Sequence, residues 1–200
     1  MTMITSKSQL RSEAIEARRA IPRAQLVQAS RLVEGNLASQ REYRDAREVA
    51  SYVSREDEVQ TDGIIRRMFA EGKRVAVPLI DLPSVTLTFF EIHGLGDLSV
   101  GHFGILEPRG GAHPVPLSET DLILVPLVAW DDRGHRIGYG RGYFDRALAG
   151  RARSLAVGLA LESQRITRVP DGPSDVRLDV VVTEKRVLRF DEGPLTEVTY

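Results

Sequence analysis

The densest chemistry in the chain lies between Leu122 and Arg146, which reads Leu-Ile-Leu-Val-Pro-Leu-Val-Ala-Trp-Asp-Asp-Arg-Gly-His-Arg-Ile-Gly-Tyr-Gly-Arg-Gly-Tyr-Phe-Asp-Arg. Gly138, Gly140 and Gly142 have no Cβ, so backbone N–H groups can converge there on phosphate oxygens. Arg136 and Arg141 flank the glycines with guanidinium groups that can fork onto two such oxygens at once. Asp145 falls in the first turn of the helix expected to follow, where a carboxylate can hold Mg²⁺. The glycine spacing is neither the dinucleotide Gly-x-Gly-x-x-Gly nor the Gly-Lys-Ser/Thr loop of common NTPases. The plain alternative is a tight turn with solvated arginines and an aspartate serving the helix dipole. Arg136, Tyr139, Arg141, Tyr143 and Asp145, crowded around the glycines, shift the reading toward phosphate.

A strand and a helix must hold that loop. Residues 122–125 are wholly apolar, as a strand covered on both faces requires, and residues 143–148 read as a helix. In open α/β sheets ligands bind just beyond the carboxyl ends of the strands, which is where this loop would sit. Upstream, Ser6 and Gln9 have the spacing of a capping box, and Leu10, Ala14, Ala17 and Ile21 line one face of the helix that follows. Lys7, Arg11 and Arg18 form a basic row beside that face. Pro22 fits the first turn of a second helix with Leu26, Ser30, Val33 and Leu37 as its inner stripe.

Strand patterns at 48–53, 74–78, 86–92, 155–161 and 179–183 alternate with a further helix that opens at Thr61 or Asp62 and stops at Gly72. Residues 93–120 and 131–142 read as loops, 187–190 as a short edge strand, and the last residues as frayed. The expected fold is α/β: three layers, a mostly parallel central sheet with helices on both faces, Rossmann-like, with an N-terminal helical arm. Residues 1–200 read as a single domain, with 1–5 a vector-derived or disordered leader.

Composition narrows the partners. Lys+Arg number 27 and Asp+Glu 28, a net charge of -1, so no global basic field exists to hold nucleic acid or an anionic membrane. No apolar run approaches the ~18 residues of a membrane span. The absence of cysteine removes thiolate nucleophiles and Cys-based zinc sites. His93, His102, His113 and His135 lack metal-ligand spacing and read as loop or surface. Asp131 and Asp132 precede Gly134 and read as a turn. The expected partners are therefore small molecules, met by a cytoplasmic monomer.

The 125–146 segment resembles the signature of 5-formyltetrahydrofolate cyclo-ligases, Val-Pro-x-x-Ala-aromatic-Asp-x-x-Gly-x-Arg-hydrophobic-Gly-x-Gly-x-Gly-Tyr-aromatic-Asp-Arg, without gaps. Lys7 and Arg11, the 52–61 segment, 104–108 and 177–182 are similar in the same order, so the resemblance spans nearly the whole chain. Arg141 stands where members carry Lys or Gly, Phe144 replaces a commoner Tyr, and Trp130 a commoner Phe.

The resemblance implies ATP-dependent closure of 5-formyltetrahydrofolate to 5,10-methenyltetrahydrofolate, with ADP and phosphate released and Mg²⁺ as cofactor. It implies catalytic roles for Arg136, Arg141 and Asp145. It implies ATP contacts from Lys7, Arg11, Arg136, Ile137, Gly138, Tyr139, Gly140, Arg141, Gly142, Tyr143 and Phe144. Folate contacts would come from Val53, Glu58, Phe103, Tyr139, Gly140, Arg141, Gly142 and Tyr143, and metal contacts from Asp145 and Asp179. Arg18, Arg19 and Arg23 have no match and read as surface. In the family mechanism the formyl oxygen attacks the γ-phosphate, and a second folate nitrogen then displaces the phosphate, so no protein nucleophile is needed. Two alternatives remain: a non-catalytic folate- or nucleotide-binding paralogue, and a sugar-phosphate isomerase or CoA-transferase-like enzyme, for which Glu107 and Glu162 are the tempting carboxylates.

Overall fold

The computed structural model describes residues 6–109, 113–190 and 196–199. The leader expected at 1–5 lies outside these residues. In chain order the elements are α1 (Lys7–Arg19), α2 (Arg23–Ser39), α3 (Arg41–Asp45), β1 (Glu48–Ala50), α4 (Asp62–Ala70), β2 (Arg74–Asp81), β3 (Thr86–Ile92), β4 (Leu98–Val100) and β5 (Leu106–Pro108). There follow β6 (Leu122–Val125), β7 (Ala129–Trp130), β8 (Arg136–Ile137), α5 (Tyr143–Ala149), β9 (Leu155–Leu159), β10 (Val180–Val182), β11 (Arg186–Arg189) and β12 (Thr196–Thr199).

The main sheet has the order β12-β11-β10-β9-β6-β1-β2-β3. Its five inner strands, β10 to β2, run parallel, and antiparallel strands close both sides. The alternation of the apolar strands decides the layers. On β6, Leu122 and Leu124 join Val49, Val75, Val157 and Val182 in a core under α2 and α4. Ile123 and Val125 face the other way, with Leu148, Ala156, Val181 and Leu188, under α5. Helices thus cover both faces, as a run of four consecutive buried residues demands. α1 is held separately: Leu10, Ala14 and Ile15 pack on Val128, Ala129, Ile137 and Val169.

Several boundaries differ from the sequence reading. Among the described residues, 93–120 contains the antiparallel hairpin β4–β5 and three 3-10 turns, and 131–142 contains β8, paired with β7. Such short strands carry too few residues for a period to register. β11 is not an edge strand, because Thr196–Thr199 pairs along it. Ser6 caps α1 by accepting the Gln9 N–H at 3.2 Å, but the Gln9 side chain turns to Glu13, so only half of the box forms.

Candidate active site

The carboxyl ends of β1, β2 and β6, the β4–β5 hairpin, the glycine loop and residues 173–176 enclose a cavity of about 750 Å³. That is within the usual range of small-molecule sites. Of the residues singled out in the sequence, Lys7, Arg11, Val53, Glu58, Phe103, Arg136, Gly138, Tyr139, Gly140, Arg141, Gly142, Tyr143, Phe144 and Asp145 line it. Ile137 does not: its side chain is fully buried against α1. Its partner in space is the core, and only its backbone helps to launch the loop.

The glycine loop is shaped by the residues around it. Gly140 has φ 96° and Gly142 φ 69°, both in the left-handed region that glycine tolerates. A Cβ on Gly140 would also stand 2.9 Å from Cζ of Arg11. Arg11 Nε in turn donates to the Gly138 carbonyl at 2.8 Å, which ties α1 to the loop across the whole length of the sequence between them. Among the described residues the N–H groups of Gly140, Arg141 and Gly142 meet no protein acceptor. The Tyr143 hydroxyl is buried without a protein partner. These are donors left over for a ligand.

Behind the loop, charge is arranged in pairs. Arg136 is almost fully buried on β8 and donates to Asp145 Oδ1 at 2.8 Å and to the Val176 carbonyl. Burial lowers its pKa, and the carboxylates Asp145 and Asp175 oppose that shift. Asp145 also accepts the Val176 N–H at 3.2 Å. Beside it, Lys7 Nζ meets Asp175 at 2.7 Å. Burial works against the Asp175 charge, yet Lys7 and the Gly172 N–H hold its pKa below the usual carboxylate range.

Arg141 has no ion pair among the described residues; its guanidinium stacks 5.0 Å from the Phe103 ring centroid, across the cavity mouth. Phe103 is half exposed and has φ 56°, a strained value for a bulky side chain.

On the other side of the cavity stand Glu58 and Tyr139. The Tyr139 hydroxyl donates to Glu58 Oε1 at 2.8 Å, and the Arg55 N–H donates to Oε2 at 2.7 Å. Burial pushes the Glu58 pKa up, while those two bonds and the nearby Arg18 pull it part of the way back.

Two sequence readings are corrected here. Asp179 does not line the cavity. It sits just before β10, level with the start of β9, where it takes the Ala156 N–H at 2.7 Å and pairs with Arg151. Parallel strands put their starts at one end of the sheet and their carboxyl ends at the other, so Asp179 and Asp145 cannot share one site. The carboxylate that accompanies Asp145 is Asp175, four residues earlier, which lines the cavity. Arg18 is not surface: it is 2% exposed and donates to the Leu127 carbonyl, to Asp57 and to Tyr139. Arg23 does lie at the surface, bonded to the Glu56 carbonyl and Gln60, and Arg19 lies exposed beside Asp57.

Of the two glutamates considered for other chemistry, Glu162 is spent on Arg186 and Thr183. Glu107 lines the cavity but accepts the N–H groups of Ile80 and His102 and pairs with the His102 ring.

A model of the 5-formyltetrahydrofolate cyclo-ligase family matches residues 3–184. The chain belongs to that family. It is 31% identical over 182 residues to 5-formyltetrahydrofolate cyclo-ligase of Haemophilus influenzae, covering 88% of this chain and 97% of the relative. Against the Escherichia coli enzyme of the same name the identity is 34% over 146 residues, covering 71% of this chain and 80% of the relative. The solved NMR structure of Aquifex aeolicus 5,10-methenyltetrahydrofolate synthetase superposes with a TM-score of 0.84 at 33% identity, covering 96% of each chain.

No described helix is long and apolar enough to cross a membrane.

Proposed function

We propose that this cyclo-ligase family member works as one domain and closes 5-formyltetrahydrofolate to 5,10-methenyltetrahydrofolate in the cavity described above, spending ATP and releasing ADP and phosphate. The observation that carries the reading is the loop itself. Three unpaired N–H groups and the cations Lys7, Arg11, Arg136 and Arg141 gather beside the carboxylates Asp145 and Asp175 on one wall.

Phosphoryl transfer asks mainly for in-line positioning and charge neutralisation. The loop N–H groups and Arg141 would grip the polyphosphate, with Lys7 and Arg11 reaching it from α1. On the opposite wall Glu58 would accept hydrogen bonds from the pterin, with Val53, Phe103, Tyr139 and Tyr143 packing its rings and excluding water. So held, the formyl oxygen attacks the γ-phosphorus and ADP leaves. The second folate nitrogen then attacks the activated carbon and gives up its proton, and the C–O bond breaks with phosphate as leaving group.

Mg²⁺ suits the donor set. Asp145 and Asp175 are hard oxygen ligands on the wall that holds the loop, and among the described residues no cluster of three or more metal-binding side chains exists. Mg²⁺ is commonly held by one or two carboxylates, with substrate phosphates and waters filling the other positions. When bound it would neutralise charge developing on the phosphates. Lys7 and Arg136 hold the two carboxylates in place until then. This assignment replaces Asp179 with Asp175.

The isomerase or transferase alternative needs a free carboxylate near a strand end, and the oxygens of Glu107 and Glu162 are already engaged. The non-catalytic alternative has the same cavity and separates only by turnover. The deciding experiment follows the absorbance of methenyltetrahydrofolate formed from 5-formyltetrahydrofolate, with and without ATP and with Mg²⁺ titrated. Formation that requires both is the expected result; formation at an equal rate without nucleotide, or none with it, refutes the reading.

A further inference from the structure

Arg18 is a buried cation that the reaction as set out above does not use. It comes from the last turn of α1, and three parts of the molecule converge on it. One is the Leu127 carbonyl, just past β6, at 3.2 Å. The second is Asp57, in the segment before α4, at 2.7 Å. The third is the Tyr139 hydroxyl, in the glycine loop, at 2.6 Å. Arg18 and Arg55 also lie against the Tyr139 ring, at 5.5 and 5.3 Å from its centroid.

The direction of the chain of hydrogen bonds follows from donor chemistry. A guanidinium only donates, so it occupies an acceptor position on the Tyr139 oxygen. The single tyrosine proton is then free to point only outward, and it is aimed at Glu58 Oε1, 2.8 Å away. Tyr139 is 39% exposed and stands on a loop of glycines, so without Arg18 only the Glu58 hydrogen bond and the Arg55 guanidinium against its face hold the ring among the described residues. Asp57, whose pKa burial would raise and Arg18 lowers, accepts from the same Nη2 nitrogen that reaches Tyr139 and so holds that end of the guanidinium in place.

We infer that Arg18 is a positioning residue for the folate side of the site: it orients the Tyr139 hydroxyl as a donor to Glu58, and so joins the loop that would carry ATP to the carboxylate that would carry the pterin. The inference rests on the proposed placement of folate against Glu58 and Tyr139. Arg18 itself touches neither substrate. Its hydrogen bonds reach the ligand through the tyrosine hydroxyl, beside the weaker pull of its charge on Glu58, and that makes it separable from a role in merely packing α1.

The test is a double-mutant cycle on the equilibrium affinity for 5-formyltetrahydrofolate, measured calorimetrically without ATP on wild type, Arg18→Met, Tyr139→Phe and the double variant. Arg18→Met keeps an apolar stem against the core. Each single change is expected to weaken folate about tenfold, the scale of one net hydrogen bond to a charged group, and the double variant no more than about tenfold rather than a hundredfold. Affinity for ATP measured alone should stay within about twofold for Arg18→Met.

If the two changes multiply, Arg18 acts on folding or packing alone and the inference is overturned. It is equally overturned if Arg18→Met binds folate as wild type does. Should Arg18→Met fail to fold, Arg18→Gln takes its place in the cycle, because its amide ends two bonds short of the nitrogen that serves both Asp57 and Tyr139; the same two outcomes decide. A wild-type protein that binds no 5-formyltetrahydrofolate at all contradicts the proposed function instead, so the two failures are distinguishable.

Discussion

Asp175 and Asp179 lie four residues apart, each beside a cation, yet they belong to opposite ends of the sheet. At the carboxyl ends of the strands, Asp175 and Asp145 face a cavity, and their partners Lys7 and Arg136 stand on that cavity's wall. At the start of the strands, Asp179 is engaged by Arg151 and the Ala156 N–H and ties the junction of β9 with β10. The same pairing of acid with base does different work in each place. Away from the cavity, a carboxylate engaged by protein donors fixes strand register. Where the cavity opens, a carboxylate held by a cation is placed to meet an incoming ligand.

Substitutions sharpen this contrast most at the cavity end. Asp145→Asn and Asp175→Asn should each lower kcat/KM for ATP by about 10²–10³-fold, the scale of losing one group that neutralises charge in a transition state. Steady-state rates at limiting Mg²⁺ check this, and near-normal rates in either variant would break the comparison.

Arg141→Ala comes next. One charge-assisted phosphate contact is worth about 1.5–3 kcal/mol, so ~10- to 150-fold should be lost in the ATP specificity constant with little change for folate. Arg141→Lys should restore much of it. If Arg141→Gly costs nothing, the loop N–H groups carry the phosphate and the arginine serves only to stack on Phe103.

Asp179→Asn should behave in the opposite way. Turnover per folded molecule should be unchanged, while stability falls by about 1–3 kcal/mol, because one of the two oxygens that serve Arg151 and Ala156 becomes an NH2 that cannot accept. Denaturant unfolding beside an activity assay checks both halves.

The smallest expected effect is on pH. The Glu58 pKa is raised by burial, so on acidification it takes up its proton above the usual carboxylate range of roughly 4.3. Folate affinity should fall through that midpoint, and Glu58→Gln should remove this limb of the profile. For stability the sign is reversed: with its folded pKa above the unfolded one, Glu58 favours the folded state below the ordinary value, and that contribution is lost as pH rises through the folded pKa.

The sequence reached far into both the fold and the site where chemistry was local. The apolar run of β6, the glycines at 138, 140 and 142 and the arginines beside them are contiguous, and their meaning lies in that contiguity. The helix stripe at Leu26, Ser30, Val33 and Leu37 is buried as its period requires. Short segments were not legible: β4, β5, β7 and β8 are two or three residues each, below the length at which alternation identifies a strand.

By itself, then, the sequence determined the α/β layering, the glycine-and-arginine make-up of the loop and the resemblance that named its chemistry, since period and motif are properties of neighbours along the chain. Only the tertiary structure decided which of two nearby aspartates faces the cavity, because strand direction assigns Asp175 to the cavity end of the sheet and Asp179 to the opposite end. It also decided that Arg18 is buried rather than solvated. The helical period places Arg18 beside Lys7 and Arg11 on a basic row, but whether a charge at the end of α1 meets water or Asp57 and Tyr139 depends on segments distant in sequence, whose arrival no local pattern encodes.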